Sequence, residues 1–89
     1  MKWKIEYSKS FKKKTAKLIE KQPKLKEPIR ELFLKLENNP YDNALKTHTL
    51  SGNLKGSYVC SLTYELRLVF EISDKSIHLI DIGTHDEVY

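Results

Sequence analysis

Apolar and polar residues alternate over the first seven positions of the chain, where Trp3, Ile5 and Tyr7 occupy every second place. A period of two puts these side chains on one side of an extended segment and the charged residues between them on the other. The pattern predicts a half-buried strand over residues 1–7.

A helical period follows, because the next apolar residues share one face of a helix: Phe11, Leu18 and Ile19. Ser8 or Ser10 can cap its first turn, and Pro23 ends it. A second helix is predicted from a stripe with intervals of three and four: Leu25, Ile29, Leu32, Phe33 and Leu36. Pro28 is tolerated in its first turn, and the Asn-Asn-Pro run at 38–40 ends it. The short link makes the pair a helical hairpin.

The rest of the chain predicts a polar loop over residues 40–55 and then three strands: 57–63, 66–72 and 76–82. A tight turn at 73–75 joins the last two strands. The order β-α-α-β-β-β predicts a single α+β domain over residues 1–89, in which the helical hairpin packs on one face of an antiparallel sheet.

Alternation along the strand 66–72 separates a core face from an open face. The core face holds the apolar residues Leu66, Leu68, Phe70 and Ile72. The opposite face, which the helices leave uncovered, holds Glu65, Arg67, Val69 and Glu71. This open face is a candidate site because it displays ionisable groups.

A three-residue turn at 73–75 would pair Arg67 with Asp81 and Phe70 with His78 across the hairpin. In that register Arg67 has a structural alternative, an exposed ion pair with Asp81 worth less than about 1 kcal/mol. His78 would then lie on the core face in a structural role.

Composition narrows the class of protein. The single cysteine, Cys60, excludes an intramolecular disulfide and a cysteine-based metal site, and it favours a reducing cytoplasmic setting. No apolar stretch reaches the roughly 20 residues that span a bilayer, so no membrane contact is expected.

Positive charge is concentrated in the first third of the chain. Residues 1–30 carry eleven Lys and Arg against three acidic residues, whereas residues 31–89 carry five against nine. Such a segment is typical of docking on nucleic-acid phosphates, although a well-solvated helix face explains the charge equally well. Lys12, Lys13 and Lys17 of the first helix are the candidate contacts.

Residues 66–72 (LRLVFEI) and 80–89 (IDIGTHDEVY) resemble the C-terminal half of the RelE/ParE toxin superfamily. Residues 46–52 (KTHTLSG), followed by Lys55, are similar to its YafQ-like branch. The element order also matches, so the resemblance spans essentially the whole chain. It implies the RelE-like microbial RNase fold.

The resemblance further implies the toxin of a type II toxin–antitoxin system. Such a toxin is an endoribonuclease (an mRNA interferase) that cuts mRNA in the ribosomal decoding site without a metal or other cofactor. Its implied partners are the ribosome with its mRNA and rRNA, and a cognate antitoxin that forms a hetero-oligomer with it. Lys46 and Lys55, in the matching segment, join the candidate RNA contacts.

Five positions match active-site residues of the family. Four match the YafQ-like branch: His48, Glu65, His85 and Tyr89. Arg67 matches a catalytic arginine of RelE-like members. Ser61 stands where YafQ has histidine and Glu65 where it has aspartate. The loss of one titrating group leaves His48 and His85 to carry more of the proton transfer.

These residue types suit RNA cleavage by the adjacent 2′-hydroxyl. Histidine, with a pKa near 6.5, can accept or donate a proton at neutral pH, and arginine matches phosphate oxygens with a charged fork. We expect His85 to act as the general acid and His48 or Glu65 as the general base. Arg67 would stabilise the transition state, and Tyr89 would orient the nucleotide.

Other interpretations remain open. His48 could cap a loop, Glu65 could be a solvated turn residue, and Tyr89 could fray as chain ends do. A ParE-like toxin shares the fold but inhibits DNA gyrase by protein contact, and a non-catalytic member would serve only as an antitoxin-binding module. Leu34, off the apolar stripe of the second helix, is a candidate antitoxin contact.

Overall fold

The computed structural model describes residues 2–49 and 56–88. Within these residues, the strands are β1 (Lys4–Tyr7), β2 (His48–Thr49), β3 (Ser57–Ser61), β4 (Leu66–Ser73) and β5 (Ser76–Thr84). The α-helices are α1 (Lys9–Lys21), α2 (Lys26–Asn38) and α3 (His85–Val88), with short 3₁₀ turns at Pro23–Leu25 and Asn43–Leu45.

The strands form one mixed sheet in the order β1-β5-β4-β3-β2. All neighbours are antiparallel except β1, which runs parallel to β5. No hairpin joins these two strands, so nothing in the connection requires them to be antiparallel. The predicted α+β class, with two helices on one face of the sheet, is confirmed.

Local sequence signals explain the helical hairpin. Ser8 caps α1, because its Oγ accepts a hydrogen bond from the Phe11 N–H at 3.1 Å. Pro28 is the third residue of α2, where amide hydrogens have no helical partner. Only Gln22 and the 3₁₀ turn separate the helices, as predicted.

The core lies between the hairpin and one face of the sheet. Its buried members include the predicted residues Phe11, Leu25, Ile29, Leu32, Leu36, Leu68 and Phe70, with Leu18, Ile19, Phe33, Leu66 and Ile72 packed against them. Cys60 also lies in this core, and burial raises the pKa of its thiol to about 12. The thiol therefore stays protonated and is not a nucleophile.

The expected register of the β4–β5 hairpin is wrong for two reasons. Its turn has two residues, Asp74 and Lys75, both in the left-handed region with φ of 46° and 63°. A bulge then leaves Ile80 without a partner, between the pairs Val69–Asp81 and Phe70–Leu79. Arg67 consequently lies opposite Gly83 rather than Asp81, and no cross-strand ion pair with Asp81 forms.

The register also moves His78 to the other face of the sheet. Ile77 and Leu79 on either side of it belong to the core, and His78 lies opposite Glu71 rather than Phe70. Its half-exposed ring places Nδ1 3.3 Å from a carboxylate oxygen of Glu6. The prediction of a histidine on the core face is therefore wrong.

The predicted polar loop 40–55 contains more order than its composition suggested. Pro40 and Leu45 are buried, and His48–Thr49 forms the edge strand β2. Residues 50–55, with Lys55, lie outside the described residues.

Lys75 sits at the second turn position, where a type I′ turn favours glycine. We expect Lys75→Gly to raise the free energy of unfolding by about 0.5–1 kcal/mol, since glycine removes the steric cost of a positive φ. Urea unfolding measures the change. Lys13→Gly, at an exposed position inside α1, is the control and should lower the free energy of unfolding by about 1 kcal/mol. A lower midpoint for Lys75→Gly than for the wild type would contradict the strain argument.

Candidate functional site

Arg67 closes the bend between β3 and β4. One terminal nitrogen, Nη1, donates hydrogen bonds to the carbonyl oxygens of Thr63 at 2.9 Å, Tyr64 at 3.0 Å and Leu66 at 3.1 Å. A guanidinium has five N–H donors in a planar fork. Within the described part of the chain, the hydrogen bonds that the Arg67 guanidinium donates involve Nη1 alone.

The bend itself is closely hydrogen-bonded. The N–H groups of Leu62 and Thr63 donate to the Leu66 carbonyl at 3.0 and 3.3 Å. The Thr63 hydroxyl accepts from the Leu66 N–H at 3.1 Å. Together with Arg67, these bonds hold residues 62–65 in one arrangement.

An open groove of about 470 Å³ lies beside this bend, lined by Tyr64, Glu65, Arg67, Thr84 and Asp86. Glu65 is exposed, and it precedes β4 rather than lying within it. Tyr64 is 95% exposed. The groove therefore brings together Glu65 and Arg67, two of the predicted site residues, with an exposed aromatic ring that the sequence analysis did not single out.

The short helix α3 begins with a capping box (a reciprocal pair of hydrogen bonds at a helix start). The Thr84 N–H donates to Glu87 Oε1 at 2.9 Å, and the Glu87 N–H donates to Thr84 Oγ1 at 3.3 Å. Hydrogen bonding to Thr84, above all to its backbone N–H, lowers the pKa of Glu87. The Thr-x-x-Glu spacing at 84–87 is a sequence signal that would have predicted this helix start.

Gly83 allows α3 to fold back against the end of β5. A Cβ at this position would lie 3.2 Å from both Cβ and Oε1 of Glu87. At its other end, Val88 packs against Val59 and Val69, which are buried on the sheet face opposite the helical hairpin. This face, expected to be open at Val69, is therefore partly covered by α3.

The segment leading to His48 is anchored by a chain of aromatic rings. Tyr41 contacts Trp3 and Tyr58 edge to face, with ring centroids 6.2 and 6.0 Å apart. The Thr47 hydroxyl donates to the Pro40 carbonyl at 2.7 Å. These contacts bring His48 to its place in β2, opposite Val59.

The backbone places His48 on β2 and Arg67 on β4, with β3 between them, and His85 at the start of α3 directly after β5. His48 and Val69 both pair with Val59, and Arg67 is two residues from Val69 along β4. With strands about 4.8 Å apart and about 3.3 Å per residue, the backbones at His48 and Arg67 are roughly 12 Å apart. His85 follows Thr84, the partner of Leu66. The side chains of His48 and His85, and all of Tyr89, lie outside what the structure describes.

The lysines of α1 divide between different surfaces. Lys12 and Lys13 are exposed beside Lys9 and Ser10, on α1 itself. Lys17 lines a different groove, together with these residues: Lys14, Lys21, Leu66, Gly83 and Glu87. Lys14 forms an ion pair there, with its Nζ 2.8 Å from a carboxylate oxygen of Asp81. Lys17 thus lines a groove with Gly83 and Glu87, which are sequence neighbours of Thr84 and Asp86 in the Arg67 groove, while Lys46 is exposed in the segment before β2.

Ser61, which stands where YafQ has histidine, lies directly opposite Arg67 on β3. No group of three or more potential metal-binding side chains comes together in residues 2–49 and 56–88. Nor does any helix in these ranges have the length and apolar character that a membrane crossing requires.

Comparison with known proteins identifies the class to which this fold and groove belong. The structure is similar to that of a copper-bound mutant toxin from Helicobacter pylori, with a TM-score of 0.81 and 27% identity over 98% of this chain and 99% of that one. It is also similar to the E. coli DinJ-YafQ toxin-antitoxin complex (TM-score 0.80, 27% identity, 100% and 99% coverage). The YoeB dimer from Staphylococcus aureus shares the fold at 23% identity (TM-score 0.79, 96% and 99% coverage). No curated protein matches the chain significantly.

The molecule is thus a RelE/YafQ-like toxin in its fold. The family model for YafQ, a bacterial toxin of type II toxin-antitoxin systems, matches residues 3–89, and the chain belongs to that family.

The capping box predicts that α3 depends on the Glu87 carboxylate. Glu87→Ala should reduce the protection of the Thr84 amide against hydrogen exchange, as measured by NMR, while the amides of β4 keep theirs. In the wild type, the lowered pKa means that this contribution is complete above the usual pKa of glutamate. It is lost as pH falls through the lower value in the folded protein.

Glu87→Gln is the matched control, because its amide oxygen can still accept the hydrogen bond from Thr84 without the charge. If the Thr84 amide is as well protected against hydrogen exchange in Glu87→Ala as in the wild type, the capping box does not hold α3.

Proposed function

We propose that the protein is an endoribonuclease that cleaves mRNA bound to the ribosome. The arrangement of Arg67 is the observation that carries this proposal. Its guanidinium is held at one nitrogen by three carbonyl groups, and Arg67 lines an open groove. A fixed planar fork of this kind matches the oxygens of a phosphodiester and the charge that develops on them during cleavage.

The reaction that fits this groove is attack by the 2′-hydroxyl on the adjacent phosphorus. The new P–O2′ bond forms as the P–O5′ bond breaks, which leaves a 2′,3′-cyclic phosphate and a 5′-hydroxyl. The proton of the 2′-hydroxyl passes to a general base, His48 or Glu65. The departing 5′-oxygen receives a proton from His85. Each transfer is worth about 10²–10⁴ in rate.

Glu65 has the most direct structural support as the base, because it lines the same groove as Arg67. The backbone of His48 lies in β2, which β3 separates from β4, and His85 begins α3 directly after β5. The proposed acid and base would therefore come from different secondary-structure elements. Tyr89, the next residue in the sequence after Val88, would orient the nucleotide.

Affinity for the ribosome requires positive charge outside the groove, since Glu65 and Asp86 lie within it. The lysine-rich surface of α1 can supply this charge through contacts with rRNA phosphates. Lys17 and Lys21 line a groove together with Gly83 and Glu87, and Lys12, Lys13 and Lys46 would extend the contact. The ribosome as a target also implies that the protein acts in the cytoplasm.

We further infer that a cognate antitoxin binds the toxin in a hetero-oligomer, as DinJ does with YafQ in the E. coli complex. Leu34 offers an apolar contact, since it is 55% exposed on α2.

The central test is cleavage of ribosome-bound mRNA by Arg67→Lys. Lysine keeps the charge but lacks the fork, so we expect kcat/KM to fall by about 10²–10³, the cost of removing one oriented oxyanion donor. A substrate with a 2′-deoxy nucleotide at the cleavage position should resist the wild-type enzyme altogether.

Arg30→Lys is the matched control, because Arg30 is the only other arginine and lies exposed on α2. It should cleave at the wild-type rate. Continued cutting of the 2′-deoxy substrate would overturn the mechanism. Undiminished toxicity without any cleavage would instead favour protein contact, as in gyrase inhibition.

The two lysine surfaces can be separated by charge reversal. Lys17→Glu with Lys21→Glu should weaken ribosome binding and lower its salt slope by about 0.7–0.9 for each phosphate that the protein no longer neutralises. Lys12→Glu with Lys13→Glu changes the net charge equally, on the other lysine surface of α1, and should have a smaller effect. Binding assays over a range of salt concentrations measure both. An equal decrease in affinity for the two variants would show that only the net charge of α1 matters.

A further inference from the structure

Tyr64 is the most exposed large hydrophobic residue in the described part of the chain. It is 95% exposed, whereas Tyr7 and Tyr41 are 52% and 51% exposed and each contacts another ring. Isolated exposed apolar residues are common on protein surfaces and by themselves indicate nothing. Tyr64 differs from such residues in two ways: its backbone is held by hydrogen bonds, and it lines the groove beside Arg67.

The backbone of Tyr64 is held by the same side chain that forms the phosphate site. Nη1 of Arg67 donates to the Tyr64 carbonyl at 3.0 Å, and the bend around it is closed by hydrogen bonds to Leu66. The ring can therefore move only about its own two side-chain torsions. An aromatic side chain anchored in this way loses little conformational entropy when a ligand stacks on it.

The charges in the groove decide which part of an RNA strand can lie against Tyr64. Among the described residues that line the groove, Arg67 supplies a guanidinium and Glu65 supplies a carboxylate. A phosphate beside Arg67 is favoured, but a second phosphate near the Glu65 carboxylate is not. The surface beyond Arg67 therefore suits an uncharged group, and in a single strand that group is a base.

We propose that Tyr64 stacks on the base of a nucleotide adjacent to the scissile phosphate and thereby positions the strand in the groove. This inference rests on the proposed endoribonuclease function and adds a positioning residue to it. Stacking on an aromatic ring is a common way in which proteins hold unpaired bases, and it tolerates different sequences because every base has a π face.

The test uses ribosome-bound mRNA that carries a 2′-deoxy nucleotide at the cleavage position, so that binding is measured without cleavage. Tyr64→Ala should weaken the affinity for this complex about 5- to 150-fold, which corresponds to the ~1–3 kcal/mol of one stacked base. Tyr64→Phe keeps the ring and should bind like the wild type. Tyr7→Ala, at an exposed tyrosine remote from the groove, should also leave the affinity unchanged.

A second substrate makes the test specific. When the nucleotides flanking the cleavage position are abasic, there is no base to stack, so Tyr64→Ala and the wild type should bind equally. A defect that persists on the abasic substrate would show that the substitution acts through the fold of the bend and would overturn the stacking role.

The outcomes separate this inference from the proposal on which it depends. A wild-type protein that neither binds nor cleaves ribosome-bound mRNA would overturn both. Normal cleavage and unchanged affinity in Tyr64→Ala would overturn the stacking role alone. Weaker binding of a protein partner such as the antitoxin, with RNA affinity intact, would also overturn it and would assign Tyr64 to a protein interface.

Discussion

The contact between the Arg67 guanidinium and the bend at 62–65 organises the surface on which the proposed activity depends. An arginine on an exposed strand would ordinarily keep many side-chain conformations, and ordering it would cost entropy. Here three carbonyl groups hold one nitrogen. The same hydrogen bonds fix the bend that carries Tyr64 and Glu65. The binding fork, the exposed ring and a candidate base are therefore positioned together, and a substitution of Arg67 changes all three.

The C-terminal segment is the second part of this surface, and it depends on a different set of contacts. Gly83 lets Glu87 approach the end of β5, the capping box starts α3, and Val88 packs on Val59 and Val69. His85 is the first residue of this helix. Its position therefore follows from contacts on both sides of it, although α3 is too short to be stable in isolation.

The helices and the core face of β4 could be predicted from the sequence, because the apolar periods there are long and regular. The register between β4 and β5 could not be predicted. The Asp74-Lys75 turn lacks the glycine that marks a two-residue hairpin, and the bulge at Ile80 shifts all later pairs. His78 lies between the turn and the bulge, and it was misplaced because the turn has one residue fewer than expected, which exchanges the two faces of the strand. At the site, family resemblance pointed to Glu65 and Arg67, but no period or motif indicates that Tyr64 would lie on the rim of their groove.

The length of the outer strand β1 has a consequence for how the molecule behaves in concentrated solution. β1 has four residues. An edge strand this short offers few unpaired backbone groups to a neighbouring molecule. Aggregation through strand addition at this edge of the sheet is therefore disfavoured.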